Sequence, residues 1–141
     1  MCELDRFVLA QDKCFNNAVE ELKSGKKRSH WMWYVFPQCE GLGSSSTAIK
    51  YSIKSKQEAL SYLNHEVLYN RLIICCDILL ELDNNISHIL SFPDDKKLQS
   101  CLTLFMNVNP EIGIFKQLLI KYFNGEECLA TNRFLKFAQA N

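Results

Sequence analysis

The richest concentration of chemically capable side chains lies between Lys26 and Gln38, in the sequence Lys-Lys-Arg-Ser-His-Trp-Met-Trp-Tyr-Val-Phe-Pro-Gln. Cations, a hydroxyl, an imidazole, aromatic rings and an amide follow one another here, and both tryptophans of the chain belong to the run. Cationic side chains contact phosphate, and an indole ring stacks on a base. The run therefore favours a site for a flat, anionic ligand.

Individual residues of this run suit separate roles in such a site. Lys27 and Arg28 are candidates for phosphate contacts, and Trp31 or Trp33 would stack on a planar ring. His30 is the best candidate for proton transfer, because an imidazole gains and loses a proton near neutral pH. The alternative interpretation places some of the rings in the hydrophobic core, with the cations at its rim.

A second polar group begins at Ser91, in the sequence Ser-Phe-Pro-Asp-Asp. A serine, a proline and then acids are typical of a helix start, with Ser91 as the candidate cap. The carboxylates of Asp94 and Asp95 would interact favourably with the positive end of the helix dipole. Alternatively, one of them would activate water or stabilise a cationic transition state at a sugar carbon. After these aspartates, one face of the predicted helix carries Lys97, Ser100 and Thr103. This face suits the binding of an anion or the lining of a polar groove.

Helices must position these residues. Apolar side chains recur at helical spacing along most of the chain, which predicts a mainly α fold: a compact, single-domain bundle (residues 1–141) of about six to seven helices. The apolar stretch 67–82 is predicted as the central helix. Further helices are predicted over about 4–23, 55–64 with a Ser55–Glu58 capping box, 91–105, 110–123 and 132–139 with Thr131 as cap. The segment 41–46, with Gly41 and Gly43, is predicted as a loop whose backbone can approach a ligand.

Composition argues against several classes of protein. Lysine and arginine number 16 and so do the acids, and a net charge of zero is not that of a general nucleic-acid-binding protein. No apolar run reaches the roughly 18–20 residues of a membrane span, and no signal-peptide pattern is present. A cytoplasmic protein is expected, with export as an effector left open. The seven cysteines lack the spacing of zinc ligands, and we expect no metal and no cofactor.

The sequence around both polar groups resembles the sequence pattern of the domain of unknown function family 1810. The likeness rests on the long and compositionally rare string Lys-Arg-Ser-His-Trp-Met-Trp from Lys27 to Trp33, followed by Phe-Pro-Gln and Gly-Leu-Gly-Ser. It continues with Pro-Asp-Asp-Lys-Lys-Leu from Pro93 and covers about residues 4–125 in order. The resemblance implies a compact, mainly helical domain without an assigned activity.

The chain departs from this family's pattern at three internal places, and its last sixteen residues diverge. Glu66 stands where the family usually has proline, Cys101-Leu102 where it has Ser-Met, and Ile74 where a glutamate is expected. The missing glutamate weakens any idea that this position is catalytic. The small helical NADAR domains, tied to ADP-ribose chemistry, offer a loose analogy of architecture and ligand type, which does not establish function.

These observations predict a metal-independent hydrolase that cleaves an N-glycosidic bond between an ADP-ribose-like or nucleotide-like ligand and a modified protein side chain. Its partner would be a small-molecule nucleotide or an ADP-ribosylated protein. The alternatives are a non-enzymatic nucleotide- or protein-binding module and an interaction domain with the aromatic run in its core. The catalytic candidates are His30, Asp94 and Asp95, and the ligand-binding candidates are Lys27, Arg28, Ser29, Trp31, Trp33, Gln38, Gly41, Gly43, Lys97, Ser100 and Thr103. The site requires the two polar groups to meet in space.

Overall fold

A computed structural model describes residues 3–140, with side chains described as far as Phe137. Within this range the chain forms nine helices and one isolated parallel bridge between Cys39 and Ile53. The helices are α1 (Asp5–Lys23), α2 (Met32–Val35), α3 (Ser46–Lys50), α4 (Lys56–Asn64), α5 (Glu66–Glu81), α6 (Ile86–Ile89), α7 (Asp94–Val108), α8 (Ile114–Phe123) and α9 (Leu129–Ala140). The predicted mainly helical fold class is confirmed.

The core lies around α5, which packs against α1, α4 and α8, while α7 packs against α4, α8 and α9. Leu68, Leu72 and Leu79 recur at helical spacing on α5 and are buried, as the apolar pattern of 67–82 predicts. Burying one such side chain contributes about 1.5–3 kcal/mol. The predicted central helix is therefore present.

The start of α4 shows one half of the predicted capping box. The Ser55 hydroxyl accepts a hydrogen bond from the Glu58 backbone N–H at 3.0 Å. The Glu58 carboxylate does not return to the Ser55 backbone. It accepts from the Lys54 backbone N–H at 3.0 Å and forms an ion pair with Arg6 at 3.0 Å. The Lys54 N–H and the Arg6 guanidinium thus take the place of the Ser55 N–H as partners of this carboxylate.

Other predicted helix starts are wrong by a few residues. Pro93 occupies the N-cap position of α7 without a side-chain cap, and Ser91 contributes its backbone carbonyl to the Asp94 N–H at 2.8 Å. Helix α8 begins at Ile114 and not near residue 110. Thr131 lies inside α9, fully buried, and is not a cap.

Three helices, α2, α3 and α6, have only four or five residues. The sequence leaves α2 open between helix and strand and does not predict α3 or α6, because periodicity needs more than one turn to show. None of the helices in the described part of the chain has the length and apolar character of a membrane span.

Candidate functional site

The two polar groups meet at Asp94, the first residue of α7. Its carboxylate lies 2.8 Å from the Lys27 ammonium and 3.3 Å from the Lys97 ammonium. Lys27 Nζ is 5.2 Å from the centroid of the Trp31 ring, and Lys97 Nζ is 4.7 Å from the centroid of the Trp33 ring. The structure thus brings the aromatic run and the start of α7 together, as the predicted site requires.

Two adjoining pockets share Trp33 and Lys97 as a wall. The first, which we call the His30 pocket, has a volume of about 260 Å³ and is also lined by Lys27, Tyr34, Thr47 and Asp94. The second, the Gln38 pocket, has a volume of about 450 Å³ and is also lined by Gly43, Ser44, Ser45, Lys96 and Ser100. Together they form the Asp94 cleft, whose size suits a small-molecule ligand, since such sites span roughly 300–1,000 Å³.

The Asp94 cleft carries a local positive charge in a chain of zero net charge. Its ionic lining consists of Lys27, Lys96 and Lys97 against the single carboxylate of Asp94. The exposed imidazole of His30 stands at the edge of the first pocket. Three cations around one carboxylate favour an anionic ligand, because the cleft gains attraction that the surrounding surface does not offer.

Glu21 of α1 holds the segment before α2 in place. The residue is 9% exposed, and its carboxylate accepts hydrogen bonds from the backbone N–H groups of Arg28 at 2.7 Å and Ser29 at 2.9 Å. It also accepts from the Trp31 indole N–H at 2.9 Å and from the Ser29 hydroxyl. Burial opposes ionisation, but these bonds outweigh it and lower the pKa of Glu21 to about 2.

Glu21 is a positioning residue that sequence reasoning missed, as it missed Lys96 in the lining of the cleft. Glu21 follows Ala18 by three residues and precedes Leu22, so it stands on the buried face of α1, where a carboxylate needs partners. This position on a buried helix face is the sequence feature from which the role of Glu21 could have been predicted. Because Glu21 fixes Arg28 and Ser29, it also fixes where Lys27 and His30 emerge on either side.

Two predicted ligand residues belong to the core, which corrects their assignment. Trp31 is fully buried, and its indole N–H is used by Glu21, so it cannot stack on a ligand. Thr103 is also fully buried; its hydroxyl donates to the Gln99 carbonyl and accepts from the Cys128 N–H. The interpretation that part of the aromatic run is core holds for Trp31.

Four further candidates lie outside the two pockets. The Ser29 hydroxyl donates to Glu21, and the Asp95 carboxylate accepts from the Lys96 N–H at the start of α7. Arg28 is exposed, with its guanidinium 3.4 Å from the Ser24 hydroxyl. Gly41 is exposed in a turn with φ of 98°. The candidates that the structure places in the cleft are His30, Asp94, Lys27, Trp33, Gln38, Gly43, Lys97 and Ser100.

Gly43 allows the loop to approach Trp33 closely. A Cβ at this position would lie 2.8 Å from Cη2 of Trp33 and 2.7 Å from the Cβ of Ala48. Any larger residue would displace the indole or the start of α3. The glycine therefore sets the position of the ring that separates the two pockets. This role of Gly43 differs from the predicted one, in which its backbone approaches a ligand.

Gln38 brings an unsatisfied amide to the second pocket. Its backbone carbonyl accepts from the Ile53 N–H at 2.8 Å, beside the Cys39–Ile53 bridge, which anchors the residue. The side chain is 2% exposed, and its Nε2 has no hydrogen-bond partner among the described residues. An unpaired buried donor of this kind costs about 1–3 kcal/mol.

The described residues contain no cluster of three or more histidine, cysteine or acidic side chains that could hold a metal ion. The functional groups that line the cleft include ammonium, imidazole, amide and carboxylate groups. These groups bind anions, exchange protons and form hydrogen bonds to a polar ligand.

The chain is similar to a family of proteins and to a solved structure. The family model described as "Protein of unknown function (DUF1810)" matches residues 1–135, and the chain belongs to this family, as its resemblance implied. Among solved structures, the conserved hypothetical protein Rv1873 from Mycobacterium tuberculosis is 44% identical, with a TM-score of 0.93 over 95% of this chain and 96% of that chain. None of the curated proteins compared with the chain matches it.

Proposed function

We propose that this protein is a hydrolase that binds an ADP-ribose-like or nucleotide-like ligand in the Asp94 cleft. It would cleave the N-glycosidic bond between that ligand and a modified protein side chain. The observation that supports this proposal is the double ion pair of Asp94 with Lys27 and Lys97. It places cations, an indole, an imidazole and a carboxylate around one cavity.

The lysines suit the phosphate groups of such a ligand. Lys97 lines both pockets, so a diphosphate lying across it would reach from one pocket into the other. Lys27 adds donors on the His30 side, and Lys96 adds them on the Gln38 side. Charge-assisted hydrogen bonds to phosphate oxygens are stronger than neutral ones, and phosphate would compete with Asp94 for the two ammonium groups.

The His30 pocket holds the groups for bond cleavage. Water attacks the anomeric carbon of the ribose, the carbon–nitrogen bond breaks, and its electron pair leaves with the nitrogen of the protein side chain. His30 takes the proton of the attacking water, and the leaving nitrogen gains a proton from solvent. The negative charge of Asp94 stabilises the positive charge that develops on the ribose.

A non-enzymatic binding module is the second candidate, and one observation favours it. Glycosidic hydrolysis is usually performed by two carboxylates. Among the residues that line the Asp94 cleft, Asp94 alone is acidic, and two lysines neutralise it. A module that only binds phosphate would use the same lysines and would not need His30.

Release of ADP-ribose from an ADP-ribosylated protein, followed by mass spectrometry, separates the two candidates. The hydrolase predicts turnover that falls by at least about 100-fold in His30→Gln and in Asp94→Asn, with ADP-ribose affinity kept within a few-fold. His88→Gln is the matched control, because His88 is an exposed histidine on α6 outside the cleft. Binding without any release by the unaltered protein would overturn the hydrolase and support the module.

A further inference from the structure

We propose that the Gln38 pocket is a nucleobase subsite, in which the Gln38 amide donates a hydrogen bond to a ring nitrogen or carbonyl oxygen of the base. This inference rests on the proposed function and deepens it, since it says which part of the ligand each pocket takes. The phosphates lie at Lys97, the reacting ribose faces His30, and the base enters on the side of Gln38.

The unpaired amide of Gln38 carries the inference. The residue is almost completely buried, it lines the pocket, and its Nε2 has no partner within the described residues. The hydrogen bond between its backbone carbonyl and the Ile53 N–H holds the backbone of Gln38 at the wall of this pocket. A ligand acceptor that enters the pocket would satisfy the donor, which favours a ligand rich in acceptors at this end.

The walls of the pocket suit a flat heterocycle. Trp33 forms the side shared with the His30 pocket, and Gly43 holds the edge of that indole. Bases stack on aromatic side chains whatever their sequence, because each base has a π face. The volume of about 450 Å³ exceeds what a phosphate group fills and leaves room for a ring.

The charges around the pocket fix the direction of the ligand. Lys96 and Lys97 line it near the start of α7, whereas its other polar side chains are neutral: Gln38, Ser44, Ser45 and Ser100. An anionic phosphate is therefore expected at the lysines and an uncharged base at the amide. Glutamine pairs with bases through the donor and acceptor of its amide, as it does with adenine in nucleic acids.

Calorimetric titration with ADP and with inorganic pyrophosphate tests the subsite. ADP is expected to bind the unaltered protein at least about tenfold more tightly than pyrophosphate. Gln38→Leu is expected to lose about tenfold in ADP affinity while its pyrophosphate affinity stays the same. Gln57→Leu, at an exposed position of α4, is the matched control and is expected to leave both affinities unchanged. Gln38→Met, which keeps the length of the side chain and removes the donor, is expected to weaken ADP binding as well.

Two results would overturn the subsite. One is an unchanged ADP affinity in both Gln38 variants; the other is an equal loss for ADP and pyrophosphate, which would mean a general disturbance of the cleft. If pyrophosphate binds and ADP binds no better, the nucleobase subsite fails while the phosphate site of the proposed function stands. If neither ligand binds, both fail together.

Discussion

The carboxylate of Asp94 and the ammonium of Lys27 lie 2.8 Å apart, although one residue begins α7 and the other follows α1. Their side chains are only 20% and 10% exposed, so water screens the pair weakly. A third group, the Lys97 ammonium, completes the arrangement from within α7. This double ion pair makes the basic segment and the helix start into one cleft.

Removing the charge of Asp94 should lower stability and leave two lysines close together. We expect Asp94→Asn to lose about 1–2 kcal/mol in the free energy of unfolding, between the values typical of exposed and of buried pairs. Urea denaturation followed by circular dichroism measures this. Asp95→Asn is the matched control, because it alters the same helix start without touching a lysine pair. Equal losses in the two variants would mean that only the helix dipole matters.

Glu21 should make stability depend on pH below about 4.5. Its pKa in the folded protein, about 2, lies below the ordinary value of 4.5, so the carboxylate contributes stability that is fully present above 4.5. This contribution, about 3 kcal/mol, is lost as the pH falls from 4.5 towards 2. Urea denaturation across this pH range is the measurement.

The matched variant for this effect is Glu21→Gln, which keeps the size of the side chain and removes its charge. It should be less stable than the unaltered protein by about 1–3 kcal/mol near neutral pH. A neutral amide oxygen in place of Oε1 accepts more weakly from the N–H groups of Arg28, Ser29 and Trp31, and the amide nitrogen cannot accept from the Ser29 hydroxyl. Below pH 4.5 the gap between the two proteins should narrow. A gap that stays constant down to pH 2 would contradict the account.

Gly43→Ala should displace Trp33. The added Cβ would come within 2.8 Å of the indole, which is far inside normal contact, and such overpacking costs about 1–3 kcal/mol. We expect lower thermal stability and a shift in tryptophan emission, since Trp31 stays buried and only Trp33 moves. Gly113→Ala is the control, because nothing lies within 4 Å of a Cβ there. An unchanged emission spectrum would show that Gly43 does not determine the position of the Trp33 indole.

Cys128 should react with iodoacetamide faster than Cys14, although both are half-buried. Burial raises the pKa of Cys14. At Cys128 burial also opposes ionisation, but hydrogen bonds from Ser100 and Thr131 outweigh it and lower the pKa. The thiolate is the reactive form, so peptide mass spectrometry at mildly alkaline pH should find Cys128 modified first. Ser100→Ala should slow that reaction, and an unchanged rate would contradict the assigned cause.

The sequence predicts the long helices well and the cleft in part. Apolar spacing is strong over α1 and α5, where many residues share one buried face, so these helices are found with nearly correct ends. The starts of α8 and α9 are misplaced because turn residues such as Pro110 and Thr131 also suit helix starts. Which of these candidates is used depends on packing against α7, which one sequence does not show.

Within the cleft, residue type alone does not separate contact with a ligand from contact with the core. Trp31 and Trp33 stand two residues apart with the same side chain, yet only Trp33 faces the cleft. Trp31 differs in its partner: its indole N–H donates a hydrogen bond to the carboxylate of Glu21 on α1. Lys27 was predicted because it adjoins the aromatic run, and Lys97 because it shares a helix face with Ser100 and Thr103 after the two aspartates. The partners of Glu21, in contrast, are visible only in three dimensions.

Calorimetric titration of ADP-ribose into the protein tests most directly whether the Asp94 cleft is a phosphate-binding site. We predict saturable binding to the unaltered protein and at least about tenfold weaker binding to Lys97→Gln, through loss of a charge-assisted hydrogen bond. Lys116→Gln, an exposed lysine of α8 outside the cleft, should bind as the unaltered protein does. Absence of heat at millimolar ligand, or equal weakening in both variants, would contradict the account.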